Sequence, residues 1–169
     1  CLDEDINHCE HAGRCTTLTI WQQLKDAIDN VVDNTTLADL IEERVEELAI
    51  LETRDNGKPI ERSRADTLSA ARTFRHYAGS PSRLGGTVVP IDGGSHHVYT
   101  VHEPVGPVAI ILPWNFPIMT AAFKLAPALA AGCPAVAKPA EDTPLTILRL
   151  AAILEDAGIP AAIVIDHST

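Results

Sequence analysis

The chain has 169 residues, 46% of them hydrophobic, 21% charged and only 4% aromatic, so aliphatic and alanine side chains must fill its core. Its 13 Lys and Arg stand against 23 Asp and Glu, a net charge of −10. That balance excludes a basic nucleic-acid-binding surface and an electrostatic membrane anchor.

Cys1, Cys9 and Cys15 crowd into the start of the chain beside His8 and His11. The C-x2-C and H-x3-H spacings of a zinc site are absent, so no metal site is expected. The string from Asp3 through Cys9 to Cys15 is only faintly similar to the opening of an extracellular EGF-like module, whose remaining cysteines are missing. An ill-fitting tail is the simpler reading. Residues 1–15 are polar and acidic rather than a signal peptide. The longest apolar region, Val105 to Cys133, is broken by Pro107, Pro113, Asn115, Pro117, Lys124 and Pro127. It falls short of the roughly 18 to 20 residues a membrane helix needs. A cytoplasmic protein is expected.

The spacing predicts a helix over Leu18 to Val32, with Leu24, Ile28, Val31 and Val32 on one side. Asn34, Thr35 and Thr36 offer N-cap chemistry for a second helix. Its apolar residues Leu40, Ile41, Val45, Leu48 and Leu51 follow helical spacing, and Glu42, Glu43, Glu46 and Glu47 form a solvated face. Asp55-Asn56-Gly57-Lys58-Pro59 ends it. A third helix is expected from Ile60 to Tyr77, with Leu68, Ala71, Phe74 and Ala78 inward and Gly79 as C-cap.

Gly85-Gly86 and Asp92-Gly93-Gly94 are turns. Thr87 to Val89 and His97 to Glu103 read as the arms of a hairpin or ribbon. Beyond Pro104, Val108 to Leu112 is a short apolar run that suits a strand buried on both faces. Pro117 opens a helix that runs to Gly132. Ala135 to Ala137 is a second strand. Thr143 as N-cap and Pro144 at the first helical position begin a helix that Gly158 closes, and Ala162 to Ile165 is a third strand. This β-α-β-α-β order implies a parallel sheet with right-handed crossovers. Cys133 reads as a small buried residue.

Ligands of such sheets bind outside the carboxyl ends of the strands. Two segments fall there, Leu112-Pro113-Trp114-Asn115-Phe116-Pro117 and Lys138-Pro139-Ala140-Glu141. No G-x-G-x-x-G fingerprint is present. Glu141 can accept hydrogen bonds from ribose hydroxyls and would repel a 2′-phosphate, which favours NAD over NADP; an ordinary surface ion pair with Lys138 is the competing reading. Asn115 can donate its amide to a developing oxyanion, or merely bond its own loop. Lys124 reads as a helix-surface lysine.

Taken together, these residues resemble the N-terminal part of the aldehyde dehydrogenase superfamily, over about Leu37 to Pro160. The resemblance rests on Leu-Glu-Thr-Arg-Asp-Asn-Gly-Lys-Pro at 51–59, Tyr-Ala-Gly at 77–79 and Glu-Pro-Val-Gly at 103–106. It continues with Pro-Trp-Asn-Phe-Pro at 113–117, Lys-Leu-Ala-Pro-Ala-Leu-Ala-Ala-Gly at 124–132 and Lys-Pro-Ala-Glu-Asp-Thr-Pro-Leu-Thr at 138–146. It implies oxidation of an aldehyde to a carboxylate with NAD(P)+, through attack by a cysteine and release by a glutamate-activated water. It implies that Asn115 stabilises the oxyanion and that Lys138 and Glu141, beside Pro139, hold the adenosine ribose. Leu112, Pro113 and Trp114 would line the cofactor cleft, and the strand near His97 to Glu103 would belong to an oligomerisation ribbon.

The expected organisation is a divergent tail and helix (1–36), a helical lead-in with turns (37–96), a ribbon segment (97–104) and a partial NAD-binding α/β domain (105–169). The last is a Rossmann-like half of a doubly wound sheet. The resemblance places the nucleophilic cysteine and general-base glutamate outside these residues, and Cys133 does not match the nucleophile. Residues 1–36 and 161–169 depart abruptly from the family, as in a truncated, frame-disrupted or spliced copy. Two expectations follow: the cofactor-holding part of a homo-oligomeric enzyme, or a non-catalytic interaction protein that pairs with full-length subunits.

Overall fold

Apolar residues at helical spacing, then short β-branched and alanine runs between glycines and prolines, divide the chain into helices followed by a sheet. The computed structural model describes residues 36–94, 96–159 and 163–165, with Ile20 and Gln23 as isolated helical residues. The chain divides into two units, 1–36 and 37–169, and every element below lies in the second. The helix expected over Leu18 to Val32 and the cysteine-rich tail lie outside the described residues, those two positions apart.

Helix α1 spans Leu37–Glu43 and α2 spans Val45–Asn56. The single helix expected across this stretch is therefore two. Arg44 breaks it, with φ −107° and ψ 19°, and its guanidinium turns back to the Leu40 carbonyl at 3.2 Å and out to Asp156 at 3.4 Å. The acidic face is tied down rather than only solvated: Glu42 pairs with Arg75, Glu46 with Arg64 and Glu47 with Arg149. Gly57 closes α2 at φ +79°, a left-handed conformation that costs a side-chain-bearing residue strain. Helix α3 spans Ile60–Ala78 and buries Ser63, Asp66, Thr67, Ala70, Ala71 and Phe74. Ala78, expected inward, is exposed, and Leu68 is half-buried. Both lie off the stripe that faces the neighbouring helices. Gly79 is the C-cap, at a φ of −87° that any residue can adopt.

A two-stranded antiparallel ribbon follows. Strand β1 (Val88–Val89) pairs with β2 (Val98–Tyr99), with Val88 opposite Tyr99. The paired segment is shorter than the sequence predicts, and both strands are exposed on both faces.

Strands β3 (Val108–Ile111), β4 (Ala135–Lys138) and β5 (Ile163–Ile165) form a parallel sheet in that order. Helices α4 (Pro117–Ala130) and α5 (Leu145–Asp156) connect them. The β-α-β-α-β order expected from sequence is the order found. Helix α4 packs on β3 and β4 and against α3, and α5 packs on β5 and against α2. One core runs from Ile41, Leu48 and Phe74 through Ile118, Leu125, Ile147 and Leu150 to Ile110, Ala135 and Ala137 of the sheet.

The register sets Ala109 beside Val136 and Ile110 beside Ala137, so each pair shares a face. Ile110 and Ala137 are buried, whereas Ile111 is 73% exposed and Val136 is 44% exposed. The expectation of a strand buried on both faces is thus not met. Among the described residues, the helices cover one face of the sheet only. The start of α5 differs too. Thr143 does not cap it; its hydroxyl is buried without a partner, and Pro144 takes the N-cap position.

Candidate functional site

The loops after β3 and β4 meet at the carboxyl ends of the strands. The Leu112 N–H donates to the Lys138 carbonyl at 3.0 Å, extending the β3–β4 ladder by one bond into both loops. Leu112 is buried beneath this bond, and Pro113, Trp114 and Asn115 then emerge exposed. The Asn115 amide carries no hydrogen bond to the described residues. Phe116 occupies the N-cap of α4, and Pro117 fits its first turn, where the missing N–H has no helical partner to lose. From the helix side, Lys124 Nζ donates to the Ile111 carbonyl at 2.6 Å, so this lysine fastens α4 to the end of β3 rather than standing free.

In the second loop, Lys138 Nζ lies 3.0 Å from Glu141 Oε1, with side chains 40% and 65% exposed. Pro139 is buried between them. An exposed pair of this kind contributes about 0 to 1 kcal/mol, so little is lost when a ligand recruits either partner. The bond engages one carboxylate oxygen of Glu141, and the other is left to accept. Asn115, Lys138 and Glu141 therefore stand on two adjoining loops, as their positions after β3 and β4 predict.

Glu52, Asp55, Asn56 and Lys58, from the segment that ends α2, hold these loops from below, with Arg62 and Asp66 of α3 beside them. Glu52 is fully buried, and its Oε2 accepts the Ile118 N–H of α4's first turn at 3.3 Å. Lys58 Nζ lies 2.7 Å from Glu52 Oε1 and 3.0 Å from Asp66 Oδ2. Arg62 adds a 3.1 Å bond to the other oxygen of Asp66. Asn56 donates its amide to the Trp114 carbonyl, and Asp55 Oδ2 accepts the Leu145 N–H of α5 at 2.8 Å. Lys58 and Arg62 also sit over the Phe116 ring, at 4.8 Å and 5.7 Å from its centroid. Burial pushes the Glu52 carboxyl above the usual range, opposed by the hydrogen bond and charge of Lys58 and by the Ile118 N–H. Burial raises Asp55 as well, against the Leu145 N–H.

Sequence reading overlooked these four. One signal was present: Glu52 stands four residues after Leu48, on the buried stripe of α2, where a lone carboxylate needs partners. Cys133 is buried and reduced, as expected of a small core residue. Among the described residues no group of three His, Cys, Asp or Glu is placed to hold a metal, and no helix is long and apolar enough to cross a membrane. The tail cysteines lie outside those residues. An open depression of about 350 Å³ beside the ribbon, lined by Gly86, Thr87, Val88, His97, Tyr99 and Thr100, shares no residue with the two loops.

Helices on one face of a three-stranded parallel sheet, with polar side chains at its carboxyl edge, define a partial doubly wound α/β unit. More narrowly, the chain belongs to the aldehyde dehydrogenase family, whose model matches residues 32–165. An aldehyde dehydrogenase of Enchytraeus buchholzi is 53% identical over 129 residues, covering 76% of this chain and 26% of the relative. Human retinal dehydrogenase 2 is 38% identical over 163 residues, 95% of this chain and 31% of the relative. Among solved structures, a betaine aldehyde dehydrogenase from Staphylococcus aureus in complex with NAD+ superposes with a TM-score of 0.73 at 41% identity, over 76% of this chain and 27% of that one. A succinate-semialdehyde dehydrogenase from Burkholderia pseudomallei gives 0.77 at 36% identity, over 79% and 28%. The chain spans about a quarter to a third of the length of the relatives it matches.

Proposed function

We propose that these residues form the cofactor-holding, oxyanion-donating part of an NAD-dependent aldehyde dehydrogenase, which oxidises an aldehyde to a carboxylic acid. The observation that carries the reading is the exposed Lys138–Glu141 pair at the end of β4, joined through the Leu112–Lys138 hydrogen bond to the loop of Asn115. The donor set fits a ribose: the ammonium donates to one hydroxyl, and the free carboxylate oxygen accepts from another. The same carboxylate repels a 2′-phosphate, which favours NAD over NADP. NAD, when bound, supplies the hydride acceptor.

The chain's own residues do the rest of what is assigned to it. Leu112, Pro113, Trp114 and the buried Pro139 shape the wall between the two loops. The Asn115 NH2 donates to the oxygen that gains charge as an aldehyde is attacked, which stabilises the transition state more than the ground state. Among the described residues the thiol, Cys133, is buried between α4 and β4 and is not placed to attack, so on this reading the described residues supply the oxyanion donor without the nucleophile.

A second reading, association with a full-length dehydrogenase subunit or with a second copy, draws on the uncovered sheet face around Ile111 and Val136. Calorimetric titration with NAD and NADP tests the first reading. NAD binding that is lost in Lys138→Ala and weakened in Glu141→Ala supports it; no NAD binding, or binding indifferent to both changes, overturns it. Aldehyde-dependent NADH formation that survives Cys133→Ser would overturn the assignment of an incomplete catalytic set.

A further inference from the structure

The residues around Asn115 are held from one place. Asn56 bonds the carbonyl of Trp114, the residue before it, across 58 positions of sequence. Lys58 and Arg62 lie over the ring of Phe116, the residue after it. Glu52 bonds the Ile118 N–H, 66 positions away, and so fixes the first turn of the helix on which the loop ends. The same segment reaches the second loop: Asp55 bonds the Leu145 N–H, 90 positions away, in place of the capping hydroxyl that Thr143 fails to supply. The segment is itself immobilised, because Lys58 is locked between two buried carboxylates and Gly57 turns the backbone to put it there.

We propose that Glu52, Asp55, Asn56 and Lys58 are positioning residues that set the Asn115 loop and the Lys138–Glu141 loop relative to one another. Glu52 is fully buried and Asp55 and Asn56 are half-buried; their bonds end on backbone groups of the first loop and of the two helices, Lys58 lies over the Phe116 ring, and none of these contacts falls on Asn115, Lys138 or Glu141. The arrangement leaves the Asn115 side chain free while removing the freedom of its neighbours, which is what a preorganised hydrogen-bond donor requires. Asn56 controls the first loop, and Asp55 controls the start of the helix that follows the second. The proposal rests on the reading of these loops as a cofactor and oxyanion site. Its loop-ordering half can be tested without any cofactor.

The full chain carrying Trp21→Phe leaves Trp114 as the sole tryptophan. In that background, Asn56→Asp keeps the size of the side chain and removes the donor. Time-resolved fluorescence anisotropy is expected to show the fast-motion amplitude of Trp114 rising about twofold, with the far-ultraviolet circular dichroism unchanged. Asp55→Ala is expected to weaken NAD binding about fivefold, the equivalent of one lost hydrogen bond, and to leave Trp114 motion unaltered. Asp55→Asn retains an acceptor for the Leu145 N–H and is expected to restore affinity. Should Asn56→Asp not fold, Asn56→Ser withdraws the amide without adding charge and is read in the same way. Unchanged Trp114 motion in the Asn56 variant, or equal affinities in Asp55→Ala and Asp55→Asn, overturns the proposal. Failure of the unsubstituted chain to bind NAD would overturn the cofactor reading instead, and the anisotropy result would then stand alone for the loop.

Discussion

The ammonium of Lys58 lies 2.7 Å from the carboxylate of Glu52, with only 9% of the lysine side chain and none of the glutamate side chain exposed. Both charges have left water, and each is tolerable only because the other is there. Replacing Lys58 by Met should therefore strand Glu52 as an uncompensated buried carboxylate and leave Asp66 with Arg62 alone. The expected cost is about 3 to 5 kcal/mol in urea denaturation. The double substitution Glu52→Gln with Lys58→Met should recover part of that loss. Additive losses would mean that the two groups do not interact in solution.

The same carboxyl sets a pH dependence. Burial raises Glu52 above the ordinary carboxylate range. Between the ordinary and the raised value, the folded chain holds a proton that the unfolded chain has released. Stability contributed by this group therefore falls as pH rises through that window. Asp55, also raised by burial, acts in the same direction. Glu42, Glu46 and Glu47 act oppositely: hydrogen bonds from Arg75, Arg64 and Arg149 lower them, and their contribution is lost as pH falls through the lowered values. Denaturation midpoints of the wild type and Glu52→Gln, measured across acidic pH, isolate the first term. The advantage of Glu over Gln should be larger on the acid side of the window, and parallel curves would exclude a raised Glu52.

The two faces of the sheet should respond differently to truncation. Ile110 is 5% exposed, and Ile110→Ala should cost about 2 to 5 kcal/mol as a core cavity. Ile111 and Val136 face away from the helices, and replacing both by Thr should cost no more than about 0.5 kcal/mol each. The paired Thr variant should also lower concentration-dependent association in sedimentation velocity. Association unchanged by it would place the sticky surface elsewhere.

Discrimination between nicotinamide cofactors should follow Glu141. Glu141→Ala removes both the acceptor and the charge, so NAD affinity should fall while NADP affinity holds or rises. The ratio of the two is expected to shift by about tenfold toward NADP. Titration with each cofactor measures it, and an unshifted ratio would assign the preference to other groups.

In the ribbon, a Cβ on Gly86 would lie 1.7 Å from the Thr100 carbonyl oxygen. Gly86→Ala should separate the two arms, exposing the Thr100 N–H that donates to the Thr87 carbonyl at 2.9 Å. Amide exchange at Thr100 should accelerate, while the melting temperature barely changes because the ribbon strands bury nothing. Unaltered exchange would mean that the arms part without difficulty.

Elements set by local signals were legible in the sequence. Val108 to Ile111, Ala135 to Lys138 and the helices opening at Pro117 and closing near Gly158 carry apolar runs with glycine and proline at their borders. The placement of the loops after β3 and β4 followed from topology. What escaped depends on partners distant in sequence. The break at Arg44 is sealed by Asp156, 112 residues away. The cap of α5 comes from Asp55 instead of the adjacent Thr143, because a carboxylate from another helix reaches the N–H that the threonine hydroxyl does not. The bare face of β3 was hidden for a related reason: an apolar run reports that a strand can be buried on both sides, and not whether the residues that would bury it are present.

The long reach of the Asp55, Asn56 and Glu52 bonds bears on how the chain folds. Each closes a loop of 58 to 90 residues for a single hydrogen bond, a poor return until the intervening helices have already docked. They belong to the end of the folding reaction, after the helix pairs and the β3–β4 ladder have formed. Substitutions there should leave the refolding rate nearly untouched and hasten unfolding, so the segment that orders the site also acts as the latch governing how long the native state persists.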